Sequence, residues 1–321
     1  MIGMSIHFLM PIHLVNPYEY FYGRELKEFQ VYQIFFGGVM LPLASLIIGY
    51  IVTKKENVVK PLILSTLVLF FISLMFNGQD VLFLAALSGF IVLFLRHYSM
   101  LVSLIAMALL VITHIFIDVL IPALNALNTS NIVYSAIQKF NDYVSIFRTS
   151  DLIEYATLNF SAIKDQPLLM LFIFISIPSA LIGSVIARTK LKETLNTGMF
   201  IVFTVVFLIG GLAMKMIEVL SLGSMSSTLI GEYIGGPMLA IGVFLLFSMI
   251  SEHLPIELSK NISGLGNLAI LSYLIFSILM IIVFYGIGFN LYGEVEIITA
   301  MGIALVVAFA TGIVTKFLTK Y

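Results

Sequence analysis

Long apolar runs separated by short polar breaks dominate the sequence. A transmembrane helix needs about 20 mostly apolar residues, because each residue adds about 1.5 Å toward a hydrocarbon core about 30 Å thick. The runs that meet or approach this length cover about residues 2–16, 31–53, 58–76, 81–95, 100–124, 167–187, 197–217, 236–250, 267–289 and 295–316. The pattern predicts an all-α, polytopic helical membrane bundle of about ten transmembrane helices, of which the first, fourth and eighth are short.

The connection over residues 125–166 has a different pattern. Apolar positions recur at helical spacing with polar residues between them, at Val133, Ile137, Phe140, Val144 and Phe147. This spacing predicts an amphipathic helix that either lies on the outer leaflet or packs as a small cap on the bundle. We treat the connection as part of one membrane-embedded domain over residues 1–321.

Composition strengthens the membrane prediction. Hydrophobic residues make up 60% of the chain and charged residues only 10%, against about 25% charged residues in a typical soluble domain. The mean hydropathy of +1.11 agrees with this. The short polar breaks leave no room for a sizeable soluble domain.

Charge and cysteine usage exclude several function classes. The net charge of -1 gives no indication of a nucleic-acid partner, and membrane lipids are the expected surroundings. The sequence has no cysteine, which excludes disulfides, thiolate metal sites and cysteine nucleophiles. It also has no Walker, dinucleotide-binding, serine-hydrolase or metal-binding motif, so no metal site is predicted and the cofactor stays unknown.

The distribution of Lys and Arg among the short loops predicts the orientation. The breaks "KKENVVK" and "RTKLKET" carry three basic residues each, whereas "NGQD" and "NLYGEVE" carry none. Basic residues favour the cytoplasmic side of a membrane. The sequence therefore predicts a multi-pass protein of the cell membrane with both termini in the cytoplasm.

Two stretches resemble a known family. The first is "NGQDVLFLAALSGFIVLFLR", residues 77–96, and its matching residues are Asp80, Gly89 and Arg96. The second is residues 264–293, and its matching residues are Tyr273, Ser277, Phe284, Tyr285, Gly286, Gly288 and Gly293. Both resemble the YeiB-like proteins, a family of bacterial polytopic membrane proteins of unknown function. The Arg-Gly motif of that family's first helix and its C-terminal Gly-Pro-Leu-Glu-Trp motif are missing from this sequence.

The resemblance implies a distant kinship with membrane acyltransferases that modify sugars and lipids. It implies acyl or related group transfer at the outer face, with an acyl donor and an envelope or lipid-linked acceptor as partners. It also leaves transport of a small-molecule substrate open.

Several ionisable residues near the outer ends of the runs are candidates for a site, because a charge in lipid is costly and must meet a partner or water. Asp80 either caps the fourth helix or also lines a polar pocket. His114 and Asp118, four residues apart on one helical face, suit a general base or a structural pair. His13 lies at a similar predicted depth, where a structural histidine is the alternative.

Three further polar residues are candidates, and two of them carry two interpretations each. Lys215 either pairs with Glu218, three residues away, or extends its amine to the interface. Arg24, in "YGRELKE", either binds an anion or belongs to a solvated loop. Tyr273 points into the bundle. The predicted catalytic residues are His114, Asp118 and His13, and the predicted substrate-binding residues are Asp80, Arg24, Lys215 and Tyr273.

Three functions remain open at this point. Group transfer at the outer face is the first, and it rests on the resemblance. A small-molecule transporter or exporter is the second, and it rests on polar residues distributed through the bundle. A non-catalytic assembly or resistance factor is the third, and the missing family motifs favour it.

Overall fold

The computed structural model describes most of the chain as helices joined by short turns. The described residues are 17–76, 81–98, 100–101, 103–108, 111–112, 132–165, 172–189, 197–222, 225–251, 253–255 and 269–318. Within these ranges there are helices and no strand. The all-α prediction is therefore confirmed.

Thirteen α-helices and two π-helical segments form the described part of the bundle. The α-helices are α1 (Pro17–Tyr20), α2 (Gly23–Phe35), α3 (Met40–Lys54), α4 (Val59–Phe76), α5 (Val81–Leu95), α6 (Ile132–Phe147), α7 (Leu152–Asp165), α8 (Ile177–Thr189), α9 (Thr197–Leu220), α10 (Met225–Thr228), α11 (Gly236–Ile250), α12 (Ala269–Phe284) and α13 (Ile297–Leu318). The π-helical segments are Phe172–Ser176, before α8, and Leu229–Gly235, before α11.

Five helical stretches are long and apolar enough to cross a membrane, one of them made of α2, the turn at residues 36–39 and α3, and three shorter apolar helices accompany them. The long ones are Gly23–Lys54, Phe172–Thr189, Thr197–Leu220, Ile230–Ile250 and Ile297–Thr315. The shorter ones are Val59–Leu74, Leu82–Leu95 and Leu271–Phe284. These eight correspond to eight of the predicted runs. The first run lies outside the described residues, and the fifth lies only partly within them.

The structure corrects the prediction of a solvated loop around Arg24. "GRELKEFQVYQIF" forms α2, which a turn at residues 36–39 joins to α3. Glu, Leu, Lys and Gln are good helix formers, and burial of Glu28, Phe29, Tyr32 and Gln33 shows that one face packs on the bundle. The loop prediction was wrong because the packed face of this helix is partly polar.

Helix α3 packs along a row of small residues against α8 and the π-helical segment before it, and the two run in the same direction. The Ser45 Oγ lies 2.8 Å from the Ser176 Oγ, and the Thr53 Oγ1 donates to the Ser184 Oγ at 2.8 Å. The two residues of each pair are 131 positions apart in the sequence, so the two helices run in the same direction. Between them Gly49 meets the backbone of Ala180 with no space for a Cβ. Small residues permit this approach of two helices in a membrane.

Helices α9 and α11 pack in the opposite sense. Gly211 of α9 faces the backbone nitrogen of Leu239, and Gly242 of α11 faces that of Leu208. The position numbers rise on one helix as they fall on the other, so the pair is antiparallel. The glycine pairs at positions 210–211 and 235–236 lie at such close helix contacts.

The amphipathic helix predicted around Val144 is α6, and it packs against the turn that follows α12. The backbone N–H of Gly286 donates to the Phe147 carbonyl at 2.9 Å, and the rings of Phe147 and Tyr285 lie 4.8 Å apart. Arg148 forms an ion pair with Glu294. Together with α7, which the pattern did not predict, α6 forms a cap on one end of the bundle.

Candidate functional site

Four polar side chains meet where α9 ends and the next span begins. They are Gln33 from α2, Lys215 and Glu218 from α9, and Glu232 from the π-helical segment Leu229–Gly235. We call these four residues the carboxylate cluster. Three separate parts of the chain supply it, so only the folded bundle brings it together.

One amide nitrogen connects the two carboxylates of the cluster. The Gln33 Nε2 donates to the Glu218 Oε1 at 2.7 Å and to the Glu232 Oε1 at 2.9 Å. The Lys215 Nζ donates to the Glu218 Oε2 at 2.5 Å. Lys215 and Glu218 are 0% exposed, whereas Glu232 is only partly buried. The cluster is therefore a continuous network, and Glu232 is its one member that is only partly buried in the described structure.

Local backbone structure explains how the side chains fit. Lys215 and Glu218 are three positions apart and share a face of α9. A Cβ on Gly231 would overlap the Glu218 carboxylate, and a Cβ on Gly37 would overlap the Gln33 amide. Gly38 adopts a φ of 65°, and a Cβ added to it would contact the backbone of Glu232. The glycines thus provide the space that the network occupies.

The cluster carries an excess of negative charge. One lysine and two glutamates give a formal charge of -1. Ionisable side chains buried among membrane helices are costly, and they often mark ion pathways, relays and binding sites. Glu232 lies in a π-helical segment, a form that occurs frequently at functional sites. Both observations single this cluster out as the candidate site.

Tyr18 lies close enough to the cluster for both of its carboxylates to act on the phenol. Burial, followed by the negative charges of Glu218 and Glu232, raises the pKa of Tyr18 above its usual range. The phenol therefore keeps its proton at physiological pH. It places a neutral hydroxyl near the two carboxylates.

The cluster lies at one end of α3. Gly38, just before α3, contacts Glu232, whereas Thr53 lies in the last turn of the same helix. The 15 residues of α3 span about 22 Å at about 1.5 Å per residue. The cluster is at the end of the bundle that the charge distribution predicts to be the outer one.

The structure decides between the two interpretations of Lys215. An amine that extends to the interface would be exposed, but this side chain is fully buried and pairs with Glu218. The snorkelling interpretation was wrong, because Glu218 and the surrounding helices provide a buried partner. Binding of a substrate by Lys215 stays a prediction.

The other predicted residues are dispersed. Arg24 is 74% exposed, and its Nε donates to the Glu28 Oε1 at 2.8 Å, while the same Glu28 accepts from the backbone N–H of Ile298. Glu28 thus joins α2 to the start of α13, and the Arg24 Nη2 lies 3.6 Å from the Glu296 Oε2, just before α13. Tyr273 is buried, as predicted, and packs with Leu69 and Ile72 of α4. Their roles toward a substrate stay predictions.

The remaining predicted residues, His13, Asp80, His114 and Asp118, lie outside the described residues. Among the described residues, no group of three or more His, Cys, Asp or Glu side chains could hold a metal ion.

Gln33 and Glu232 were missed by reasoning from the sequence. Gln33 stands inside an apolar run, and Glu232 falls in a predicted connection between two spans. A signal was present in "GEYIGG", where a glutamate between glycines precedes an apolar helix. The partners are 185 and 199 positions apart, and no local pattern indicates such a contact.

Comparison with known proteins gives one match. No curated protein and no solved structure matches the chain. Residues 184–321 match the family described as Protein of unknown function (DUF418). The match includes α9, the π-helical segment with Glu232, and the second stretch that resembles the YeiB-like proteins. Residues 184–321 are thus similar to a family of proteins of unknown function, and this similarity is consistent with the resemblance to YeiB-like proteins.

Proposed function

We propose that the protein moves a small molecule across the membrane and that the carboxylate cluster binds the coupling proton. One observation carries the proposal. A lysine and a glutamate are wholly buried between membrane helices, and an amide links them to a second, partly exposed glutamate. Chains of buried carboxylates are typical of proton relays in pumps and transporters.

The charge balance supports a proton as the exchangeable ion. Lys215 offsets the charge of Glu218, and among the described residues no cation pairs with Glu232. A proton on either carboxylate would bring the formal charge of the cluster to zero. It would also change the hydrogen bonds of the Gln33 amide with the two glutamates, because a protonated carboxyl group is itself a donor. Proton binding can thus bias the packing of α2, α9 and α11.

Polar groups continue along the bundle beyond the cluster. The hydroxyl pairs Ser45–Ser176 and Thr53–Ser184 follow the α3–α8 crossing from the cluster end toward the opposite end. Because α3 and α8 pack here without space for a Cβ, these hydroxyls bond to each other and do not form an open route. The proposal of transport therefore rests on the carboxylate cluster.

Group transfer at the outer face is the second candidate, and the position of Glu232 favours it. This carboxylate is partly exposed and held by the Gln33 amide, so it can accept a proton from an acceptor hydroxyl. The other bases predicted for group transfer, His13 and His114, stay predictions.

The test compares cells that express wild-type protein, Glu232→Gln or Glu25→Gln in a deletion strain. Glu25 is an exposed acid of α2 and provides the matched control. Small molecules in the medium and the cell extract, together with lipids and envelope glycans, are profiled by mass spectrometry with and without a protonophore. We expect a solute whose distribution between cell and medium depends on wild-type protein and on the proton gradient, and is lost with Glu232→Gln.

Two results would count against transport. If a covalently modified lipid or glycan appeared instead, and persisted with the protonophore, group transfer would replace it. If Glu232→Gln behaved as Glu25→Gln does in every profile, the cluster would have no part in the function.

A further inference from the structure

A second polar site lies at the opposite end of α3 from the carboxylate cluster. A pocket of about 580 Å³ opens where α3, α5 and α8 end. This volume is in the range of pockets that hold small ligands or headgroups, about 300–1,000 Å³. Its lining includes Lys55 after α3, Arg96 and His97 after α5, and Arg188 in the last turn of α8.

The pocket carries positive charge. Lys55, Arg96 and Arg188 are opposed by one carboxylate, Glu56, so the lining has a formal charge of +2 with His97 neutral. Within the described part of the chain, none of the three cations forms an ion pair with a carboxylate. The pocket thus offers cationic donors to a ligand that brings its own negative charge.

Arg188 also has a structural task. Its Nη1 donates to the Tyr98 carbonyl at 3.2 Å and its Nη2 to the Leu95 carbonyl at 3.3 Å. These carbonyls lie at and just beyond the end of α5, where a cation is favoured by the helix dipole. These two bonds account for the position of the Arg188 side chain, but Lys55 and Arg96 have no comparable bonds to a helix end in the described structure.

Exposed apolar side chains adjoin the pocket. Phe94 is 68% exposed, and its ring lies 5.7 Å from the ring of Tyr98, which lines the pocket. Leu101 is 64% exposed, one position after the pocket residue Met100. A ligand with a charged head and hydrocarbon chains would therefore find both surfaces side by side.

We propose that this pocket binds a phosphate group, supplied by the headgroup of an anionic phospholipid. Guanidinium and ammonium groups bind phosphate through charge-assisted hydrogen bonds. Basic pockets between membrane helices on the cytoplasmic side bind anionic headgroups, and this is the side that the loop charges predict for the pocket. A soluble phosphate compound has the same chemistry without the chains, and the experiment separates the two sources.

The test uses native mass spectrometry of the purified full-length chain in detergent. Phosphatidylglycerol, phosphatidylcholine and inorganic phosphate are the probes. The pocket variant is Lys55→Gln/Arg96→Gln. The control is Lys54→Gln/Arg148→Gln, which removes the same two charge types outside the pocket: the Lys54 amine lies over the Tyr50 ring, and Arg148 is in the cap.

We expect wild-type protein to prefer phosphatidylglycerol to phosphatidylcholine, and the pocket variant to lose about 30-fold in affinity for it, because each basic residue contributes roughly fivefold. The control should retain wild-type binding. Loss of inorganic phosphate binding in the pocket variant, without a lipid effect, would support the phosphate site and assign it to a soluble ligand. Equal lipid binding by wild type and the pocket variant, with no phosphate bound, would overturn the proposal.

Discussion

Lys215→Met is expected to lower the free energy of unfolding by about 3–5 kcal/mol, the usual effect of removing one partner from a buried ion pair. Lys215 and Glu218 are both 0% exposed, so the variant leaves a buried carboxylate for which, among the described residues, the Gln33 amide is the remaining side-chain donor. Thermal unfolding in detergent, followed by circular dichroism, is the suitable measurement, because the chain has no tryptophan to report by fluorescence.

The double variant Lys215→Met/Glu218→Leu provides the control. Replacing both charges by apolar side chains of similar size is often neutral or stabilising by about 1–4 kcal/mol. We therefore expect the double variant to unfold at or above the wild-type temperature, but to lose the solute difference described above. If Lys215→Met alone unfolded like wild type, the pair would not be buried and charged in the membrane-embedded protein.

Gly49→Ala is expected to have the second largest effect. A Cβ at this position would overlap the backbone oxygen of Ala180 and lie 2.8 Å from its Cα. Backbone atoms cannot move aside as a flexible side chain can, so α3 and α8 would have to separate. Overpacking usually costs about 1–3 kcal/mol, and we expect a loss at the upper end of this range or beyond it.

The matched control is Gly302→Ala on α13, where an added Cβ would have no atom within 4 Å. Alanine is favoured over glycine inside a helix by up to about 1 kcal/mol, so this variant should unfold at the wild-type temperature or slightly above it. Equal melting temperatures for Gly49→Ala and Gly302→Ala would contradict the close α3–α8 contact.

Local patterns predicted much of the bundle. The run over residues 81–95 coincides with α5, because length and hydropathy alone decide where a membrane helix lies. The helix α2 was missed because its buried face includes Glu28 and Gln33, and their partners are on distant helices. A hydropathy pattern shows where polar side chains occur in the sequence, but it does not show which distant helices bury them.

The candidate site also has a part that local sequence patterns predict and a part that depends on distant contacts. The pair of Lys215 and Glu218 could be predicted, since three positions on a helix bring two side chains together. Gln33 and Glu232 could not, because their contacts depend on the packing of α2 against α9 and on the π-helical geometry of Leu229–Gly235. Half of the network is thus encoded locally, and the fold supplies the other half.

Proton coupling at the carboxylate cluster is the central claim, and proteoliposomes test it most directly. The solute identified by profiling is offered to vesicles that contain wild-type protein, Glu232→Gln or Glu25→Gln, with and without an imposed pH gradient. Wild type and Glu25→Gln should accumulate the solute when the gradient is present, whereas Glu232→Gln should exchange it without accumulation. Gradient-driven accumulation by Glu232→Gln at the wild-type level would contradict the claim.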